Sequence, residues 1–384
     1  MRALFITTCY PSKEYSQYCI FLEQQAQALK RSGVKTDVLL LCEGKSFDTQ
    51  RETYNGVDII KIGIAENTKY DLLFPTELSK CDRDKIMSVL DVDYDNVSFH
   101  FGGLKILRSV IKICKLKKVK LFIHFHGLNV WQEYSEKYKL LYDYYRIQKK
   151  SLYSKADAAV CVSKKVADKF SERIKTVPTF TVYNGVNTEF FKCEERSFSD
   201  LKKLKVLTVG NLIAIKGHNY LINAVSMAIQ KGMEIELTIA GKGPLDNELK
   251  TLVKNLGISR NVIFTGSVPY GKIAGLMKAN DIFIMPSYYE ALGCVYLEAM
   301  AAGMITVGVS GQGIDEIITD GINGFLVKPK DVESIFNTLI KISSLNKDQL
   351  KKISENAVMT ARKYSWNESA INLKSVYQKL TAAK

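Results

Sequence analysis

A chain of 384 residues with 46% apolar and 24% charged side chains has the balance of a globular protein, and its length suits two domains better than one. No apolar stretch approaches the 18 or more residues of a membrane span, and residues 1–8 are too few and too β-branched for a secretion leader. The excess of 54 Lys and Arg over 40 Asp and Glu gives +14, but no zinc-finger or RNA-recognition signature accompanies it, so nucleic acid is not an expected partner.

Apolar strand-like runs alternate with helical patterns from end to end, which predicts α/β layers with mostly parallel sheets. In the first half, strands are expected over 3–8, 36–41, 57–62, 97–101, 121–126, 158–162 and 181–183, with helices over 18–31, 104–117, 137–154 and 163–172. The helix from Leu104 carries Lys105, Arg108, Lys112, Lys115 and Lys117, followed by Lys118 and Lys120, with no acid among them. Its apolar residues Leu104, Leu107, Val110, Ile111 and Cys114 share one face, so the segment 104–120 is basic and amphipathic, suited to peripheral contact with an anionic membrane. A charged stretch over 192–205 then reads as a linker. Beyond it, strands over 206–209, 236–240, 262–265, 282–285, 305–309 and 324–327 alternate with helices over 218–230, 246–255, 270–279, 295–302 and 332–342. Two open α/β domains, 1–190 and 205–364, are thus expected to face each other across a cleft at the carboxyl ends of their strands.

The cysteines at 9, 19, 42, 81, 114, 161, 193 and 294 are scattered, without Cys-x-x-Cys spacing. They read as buried thiols of a reducing, cytoplasmic setting, with neither a disulfide framework nor a zinc site. His124-Phe125-His126-Gly127 ends a strand, and alternation sends both histidines to one face. Without further ligands in view a metal is not expected, and His126, with His124 as the second candidate, suits a hydrogen bond to a substrate hydroxyl or carbonyl.

In the second half, Gly210-Asn211 leads from a strand to Lys216, just ahead of a helix, where a lysine opposes the helix dipole unless it meets an anion. Gly241-Lys242-Gly243 and Gly311-Gln312-Gly313 are glycine turns whose backbone could approach phosphate or sugar. Glu290 lies in a loop, and Glu298 on the helix that follows, with Gly293 at its entrance. The uncapped amides of Gly293, Cys294 and Val295 suit phosphate, and the two carboxylates suit hydroxyl groups on either side of it.

Glu290 to Glu298, with Pro286-Ser287 ahead and Ala299-Met300-Ala301-Ala302-Gly303 behind, resembles the E-x7-E motif of family 4 retaining glycosyltransferases. Lys216-Gly217, Gly241-Lys242-Gly243-Pro244, Phe264-Thr265-Gly266, Ala279-Asn280-Asp281, Asn184-Gly185-Val186-Asn187 and His126-Gly127 follow in that family's pattern, across essentially the whole chain. The resemblance implies a GT-B fold: an acceptor-side Rossmann-like domain over 1–190, a linker over 191–204, a donor-side Rossmann-like domain over 205–364, and a helix over 365–384 returning to the first domain. It implies that Lys216 neutralises the donor's diphosphate, Glu290 faces the transferred sugar, Glu298 binds ribose, and His126 lies beside the sugar. Asn211 stands where the family commonly has arginine, which leaves more of the leaving-group charge to Lys216. Cys19, beside Tyr18 in the acceptor-side loop, stands where the family often has glycine.

The activity implied is retaining, metal-independent transfer of a sugar from a UDP-sugar or GDP-sugar to a glycan or lipid-linked acceptor, as in surface polysaccharide biosynthesis. The nucleotide-diphosphate-sugar is the donor substrate, and no separate cofactor is implied. The setting is the cytoplasm, with the inner membrane face as a peripheral site. A sugar-nucleotide epimerase of the same fold and a catalytically silent sugar-nucleotide-binding protein are the alternatives.

Overall fold

The computed structural model describes residues 1–11, 19–66, 76–128, 139–192, 196, 198 and 203–381. They form two compact units, Met1–Asn184 with Trp366–Lys384, and Gly185–Ser365.

The first unit is an eight-stranded sheet flanked by helices. Its strands are β1 (Arg2–Thr7), β2 (Lys35–Glu43), β3 (Gln50–Tyr54), β4 (Val57–Ile64), β5 (Asn96–Phe99), β6 (Lys120–Phe125), β7 (Ala158–Cys161) and β8 (Thr179–Thr181). They lie in the order β3-β4-β2-β1-β5-β6-β7-β8, parallel except for the β3–β4 pair. The helices are α1 (Ile20–Arg31), α2 (Lys80–Val89), α3 (Leu104–Lys117), α4 (Lys139–Tyr153) and α5 (Lys164–Ser171). Strands buried on both faces, such as Ala3 to Thr7, explain why the first half reads as apolar runs without clean alternation. The chain order reverses between β1 and β5, so the carboxyl ends of these strands flank the crevice where such sheets bind ligands.

The second unit is a six-stranded parallel sheet of β9 (Lys203–Val209), β10 (Glu234–Ala240), β11 (Val262–Gly266), β12 (Ile282–Ile284), β13 (Ile305–Val309) and β14 (Phe325–Val327). Their order, β11-β10-β9-β12-β13-β14, is that of the doubly wound dinucleotide fold, with its reversal between β9 and β12. Between them run α6 (His218–Gln230), α7 (Asp246–Asn255), α8 (Tyr270–Ala279), α9 (Cys294–Ala301), α10 (Val332–Ser343) and α11 (Lys347–Lys363). Their apolar faces and the strands make one core around Leu204, Val206, Ile239, Ile284 and Val307.

A last helix, α12 (Trp366–Thr381), belongs to the first unit. Trp366, Ala370, Leu373, Val376 and Tyr377 sink into that unit's core, and α12 packs on α1. Polar ties fix its register: Ser369 Oγ donates to the Tyr183 carbonyl at 2.7 Å and Lys374 Nζ to the Ser32 carbonyl at 2.7 Å.

The helices α2 and α11 were not expected from sequence, and three further features depart from that reading. The polar strand β3 is an edge strand, turned into β4 by Asn55-Gly56, both at positive φ (48° and 79°), the turn chemistry of a tight hairpin. The charged stretch read as a linker belongs, in its described residues, to the second unit. Phe198 is in that unit's core, and the Arg196 guanidinium donates to the carbonyls of Met277 (2.7 Å), Asn280 and Ala302 (3.2 Å) at the ends of α8 and α9. An arginine that serves two helix carboxyl ends looks in sequence like a solvated charge. The first unit therefore ends at Asn184, ahead of the boundary expected near 190.

Candidate functional site

In the second unit, the loops after β9 and β12 meet at the point where the strand order reverses. The β9 loop passes Leu212, which is buried, into a short 3₁₀ turn over Ala214–Lys216. The β12 loop is tied to it: Tyr288 N–H donates to the Ile215 carbonyl at 3.0 Å and Ser287 Oγ to the same oxygen at 3.1 Å. This brings Lys216 Nζ into an ion pair with Glu290 Oε2, both side chains more than four-fifths buried. Ser287 Oγ also reaches Glu290 Oε2 at 3.4 Å. Two residues 74 positions apart thus meet in one contact, a pairing their sequence order does not show.

Glu290 is braced from a third loop. Its N–H donates to Gln312 Oε1 at 3.0 Å, and Gly313 N–H donates to its carbonyl at 3.2 Å. A Cβ on Gly313 would stand 1.7 Å from the Ala291 carbonyl oxygen, so only glycine lets this loop close on the Glu290 loop. The amides of 311–313 were expected to cradle a ligand; instead Gly311 N–H is held by Asp315 Oδ2 at 2.6 Å and Gln312 N–H by the Val309 carbonyl at 3.3 Å. Gly241 is corrected in the same way. Its N–H donates to the Gly266 carbonyl at 2.9 Å, and a Cβ there would stand 1.9 Å from the Gly210 carbonyl oxygen. The close approach the structure shows is to protein backbone.

Gly293, at φ 77°, admits the chain to α9, whose first turn at Cys294 and Val295 has no side-chain cap. Glu298, on the same helix, is 9% exposed, and Tyr270 Oη donates to its Oε1 at 3.2 Å. Burial pushes the Glu298 carboxyl up to about 7, with Tyr270 pulling the other way. Asn211 is exposed, and its carbonyl accepts from His218 Nε2 at 3.3 Å.

In the first unit, His124 and His126 are joined by His100, just past β5, which the sequence reading did not find. One ring nitrogen from each lies within 4.8 Å of the others, so the missing third ligand of a metal set does exist. The geometry is nonetheless that of hydrogen bonding. His100 Nδ1 and His126 Nε2 are 2.9 Å apart with ring planes 16° from parallel, an edge-to-edge N–H···N bond. An ion at about 2.0–2.1 Å from both nitrogens would have to displace that proton. His126 packs between Phe21 and Phe101, and burial lowers its pKa to about 3, so it is neutral near pH 7.

His124 is turned inward. It is buried, its Nε2 is 3.1 Å from Ser98 Oγ, and that hydroxyl is 2.6 Å from Tyr377 Oη of α12. Cys19 is corrected: it forms a disulfide with Cys9, across Cα atoms 6.2 Å apart, and so is not the buried free thiol expected. Its backbone lies in the left-handed region at φ 54°, which is the physical reason a glycine would suit the position. Tyr18 lies outside the described residues, as does Cys193.

The comparisons with known proteins agree with this architecture. A family model described as Glycosyltransferase Family 4 matches residues 20–190, and one described as Glycosyl transferases group 1 matches residues 191–359. Among solved structures, the chain resembles a sucrose-phosphate synthase from Thermosynechococcus elongatus (TM-score 0.77, 18% identity, all of both chains). It also resembles Anabaena HepE, solved in complex with UDP and glucose (TM-score 0.73, 17% identity, 99% of this chain and 100% of that one). An uncharacterized glycosyltransferase of Methanocaldococcus jannaschii is 30% identical over 303 residues, 76% of each chain. With both units matched by glycosyltransferase models and that relative aligned over three quarters of its length, this chain belongs to the glycosyltransferases of GT-B fold.

Proposed function

We propose that this glycosyltransferase retains anomeric configuration, needs no metal, and moves a sugar from a UDP-sugar or GDP-sugar to a glycan or lipid-linked acceptor in surface polysaccharide biosynthesis. The Lys216–Glu290 ion pair beside the uncapped start of α9 carries this reading. In the ion pair the two charges neutralise each other. A diphosphate arriving at the α9 amides competes for the Lys216 ammonium and releases the Glu290 carboxylate towards the sugar. The bond from the anomeric carbon to the phosphate oxygen then breaks with its electron pair on that oxygen. The same oxygen takes the acceptor hydroxyl's proton as the new C–O bond forms on the face it leaves. Lys216 and the helix dipole offset the charge on the departing diphosphate, and Glu290 the positive charge on the sugar. In this reading Glu298 holds the ribose, and in the first unit His126 bonds a sugar hydroxyl. The presence of UDP in the HepE structure supports a nucleoside diphosphate.

Peripheral membrane contact through 104–120 is part of the proposal. Lys112, Lys115, Leu116 and Lys118 on and after α3 are exposed, and Leu116 is 72% exposed. Among the described residues no helix is long and apolar enough to cross a membrane.

Thermal melts with UDP, GDP and ADP, with and without magnesium, test the donor site. A ligand at 100 times its dissociation constant adds about 2.7 kcal/mol, several degrees for domains of this size. UDP or GDP is expected to raise the melt without metal. A rise only with magnesium rejects metal independence, and none from any nucleotide rejects the donor site. The anomer of the product, read by proton coupling, decides retention.

A further inference from the structure

Tyr270 opens α8, and its ring is held in place by a pair of aromatic neighbours. Phe190 lies face to face with it at 5.6 Å and 10°, and Phe191 meets it edge-on at 5.8 Å and 80°. Phe191 is fully buried and stands edge-on to Phe190 at 4.9 Å, so the three rings form one block. Within this block the Tyr270 ring has little freedom, because offset and edge contacts of this kind fix orientation as well as burying area.

The block aims the Tyr270 hydroxyl at Glu298. Tyr270 Oη donates to Oε1 at 3.2 Å, the one hydrogen bond the Glu298 side chain makes among the described residues. Oε2 has no hydrogen-bond partner among the described residues, and the residue as a whole is 9% exposed. One carboxylate oxygen is therefore tethered and the other open. A carboxylate free to spin about its last torsion would spread its lone pairs over many directions; one fixed at Oε1 presents those of Oε2 along a single one.

We propose that Tyr270, oriented by Phe190 and Phe191, is a positioning residue that sets the Glu298 carboxylate to accept from a ribose hydroxyl, and so makes the site selective for ribonucleoside over 2′-deoxyribonucleoside diphosphates. The proposal rests on the reading of Glu298 as the ribose-binding group. A buried carboxylate prepared for a hydroxyl discriminates strongly against a ligand that lacks it, because one of its lone pairs is then left unmet.

The test is calorimetric titration of the full chain with UDP and 2′-deoxy-UDP, and with GDP and 2′-deoxy-GDP, in the unaltered protein and in Tyr270→Phe, Phe190→Leu and Glu298→Gln. The unaltered chain is expected to prefer the ribose form at least about tenfold, as one hydrogen bond to a charged acceptor allows. Tyr270→Phe keeps the ring block but loses the donor, and is expected to cut the preference at least threefold while leaving a cooperative melt. Phe190→Leu keeps the hydroxyl on a loosened ring and gives a smaller cut; it carries the test if Tyr270→Phe does not fold. A preference unchanged in both Tyr270→Phe and Phe190→Leu overturns the proposal while leaving Glu298 in its role. A preference absent from the unaltered chain, or unchanged in Glu298→Gln, overturns the ribose reading of Glu298 itself. Failure of every nucleotide to bind removes the donor site on which both stand.

Discussion

Lys216 and Glu290 stand at the smallest scale on which this protein's chemistry is set. Each of these charges is costly to bury alone, and each is tolerated because the other is present. Lys216→Ala is expected to lower turnover at saturating donor by about tenfold or more, about 1.4 kcal/mol in the barrier; an unchanged turnover rejects the role of Lys216 in leaving-group stabilisation. Glu298 adds a pH dependence whose sign follows from burial. Its carboxyl is raised to about 7 in the folded chain from an ordinary 4.5, so the native state holds a proton that the unfolded state has released. Its contribution to stability is therefore complete below about 4.5 and is lost as pH rises through 7. Melts of the unaltered chain and Glu298→Gln across that window should converge or cross with pH, the unaltered chain losing more on the alkaline side; parallel curves would show that Glu298 does not titrate there. The spacing of Glu290 and Glu298 and the odd position of Lys216 were legible in the sequence, because a charge at a helix start needs a reason. Tyr270, Gln312 and His100 were not: their partners are 28, 22 and 26 residues away, and only folding brings them together.

Among the elements, the strongest periodic segments were the most readable. All six strands of the second sheet and the helices between them through α10 lie close to the positions expected from apolar runs. Those missed, β3, α2 and α11, carry little apolar periodicity. The strand β3, Gln50–Tyr54, is polar because it is an exposed edge, and α11 is cut from a Lys-rich stretch that shows one narrow apolar stripe, Leu350, Ile353 and Ala357. The helix α12 makes the sharpest prediction at this scale. Leu373 is fully buried in the first unit, although it is far from that unit in sequence. Leu373→Ala should cost about 2–5 kcal/mol and lower the melt of the first unit. A truncation at Ser365, if it left the first unit's melt unchanged, would falsify the view that α12 completes that core.

For the whole molecule, the excess of +14 is less concentrated than the sequence suggests. Residues 104–120 contain no acid, yet folding sets Glu77 against Lys112, Asp91 beside Lys117 at 2.5 Å and Asp157 beside Lys120 at 2.8 Å. Lys115 and Lys118 remain exposed without an ion-pair partner among the described residues. At about 1 kcal/mol for each basic residue near an anionic surface, the patch supports weak, salt-sensitive attachment. Sedimentation with vesicles containing phosphatidylserine is expected at low salt, to fall steeply as salt rises, and to drop further in Lys115→Glu/Lys118→Glu. Binding equal to that on neutral vesicles rejects the membrane proposal.

Sequence by itself determined the class of fold and the order of its parts, because burying a parallel sheet on both faces requires apolar runs separated by helices, and that pattern survives in one dimension. It also determined which loop carries the lysine and which the carboxylates. The tertiary structure alone decided what each of those groups meets. It paired Lys216 with Glu290, packed the glycines of 241 and 313 against neighbouring backbone, drew Cys19 into a disulfide with Cys9, and placed α12 in a core that begins at residue 3. Such contacts depend on which strand ends are neighbours, and strand order is set by the packing of the whole sheet, which no local stretch of residues encodes.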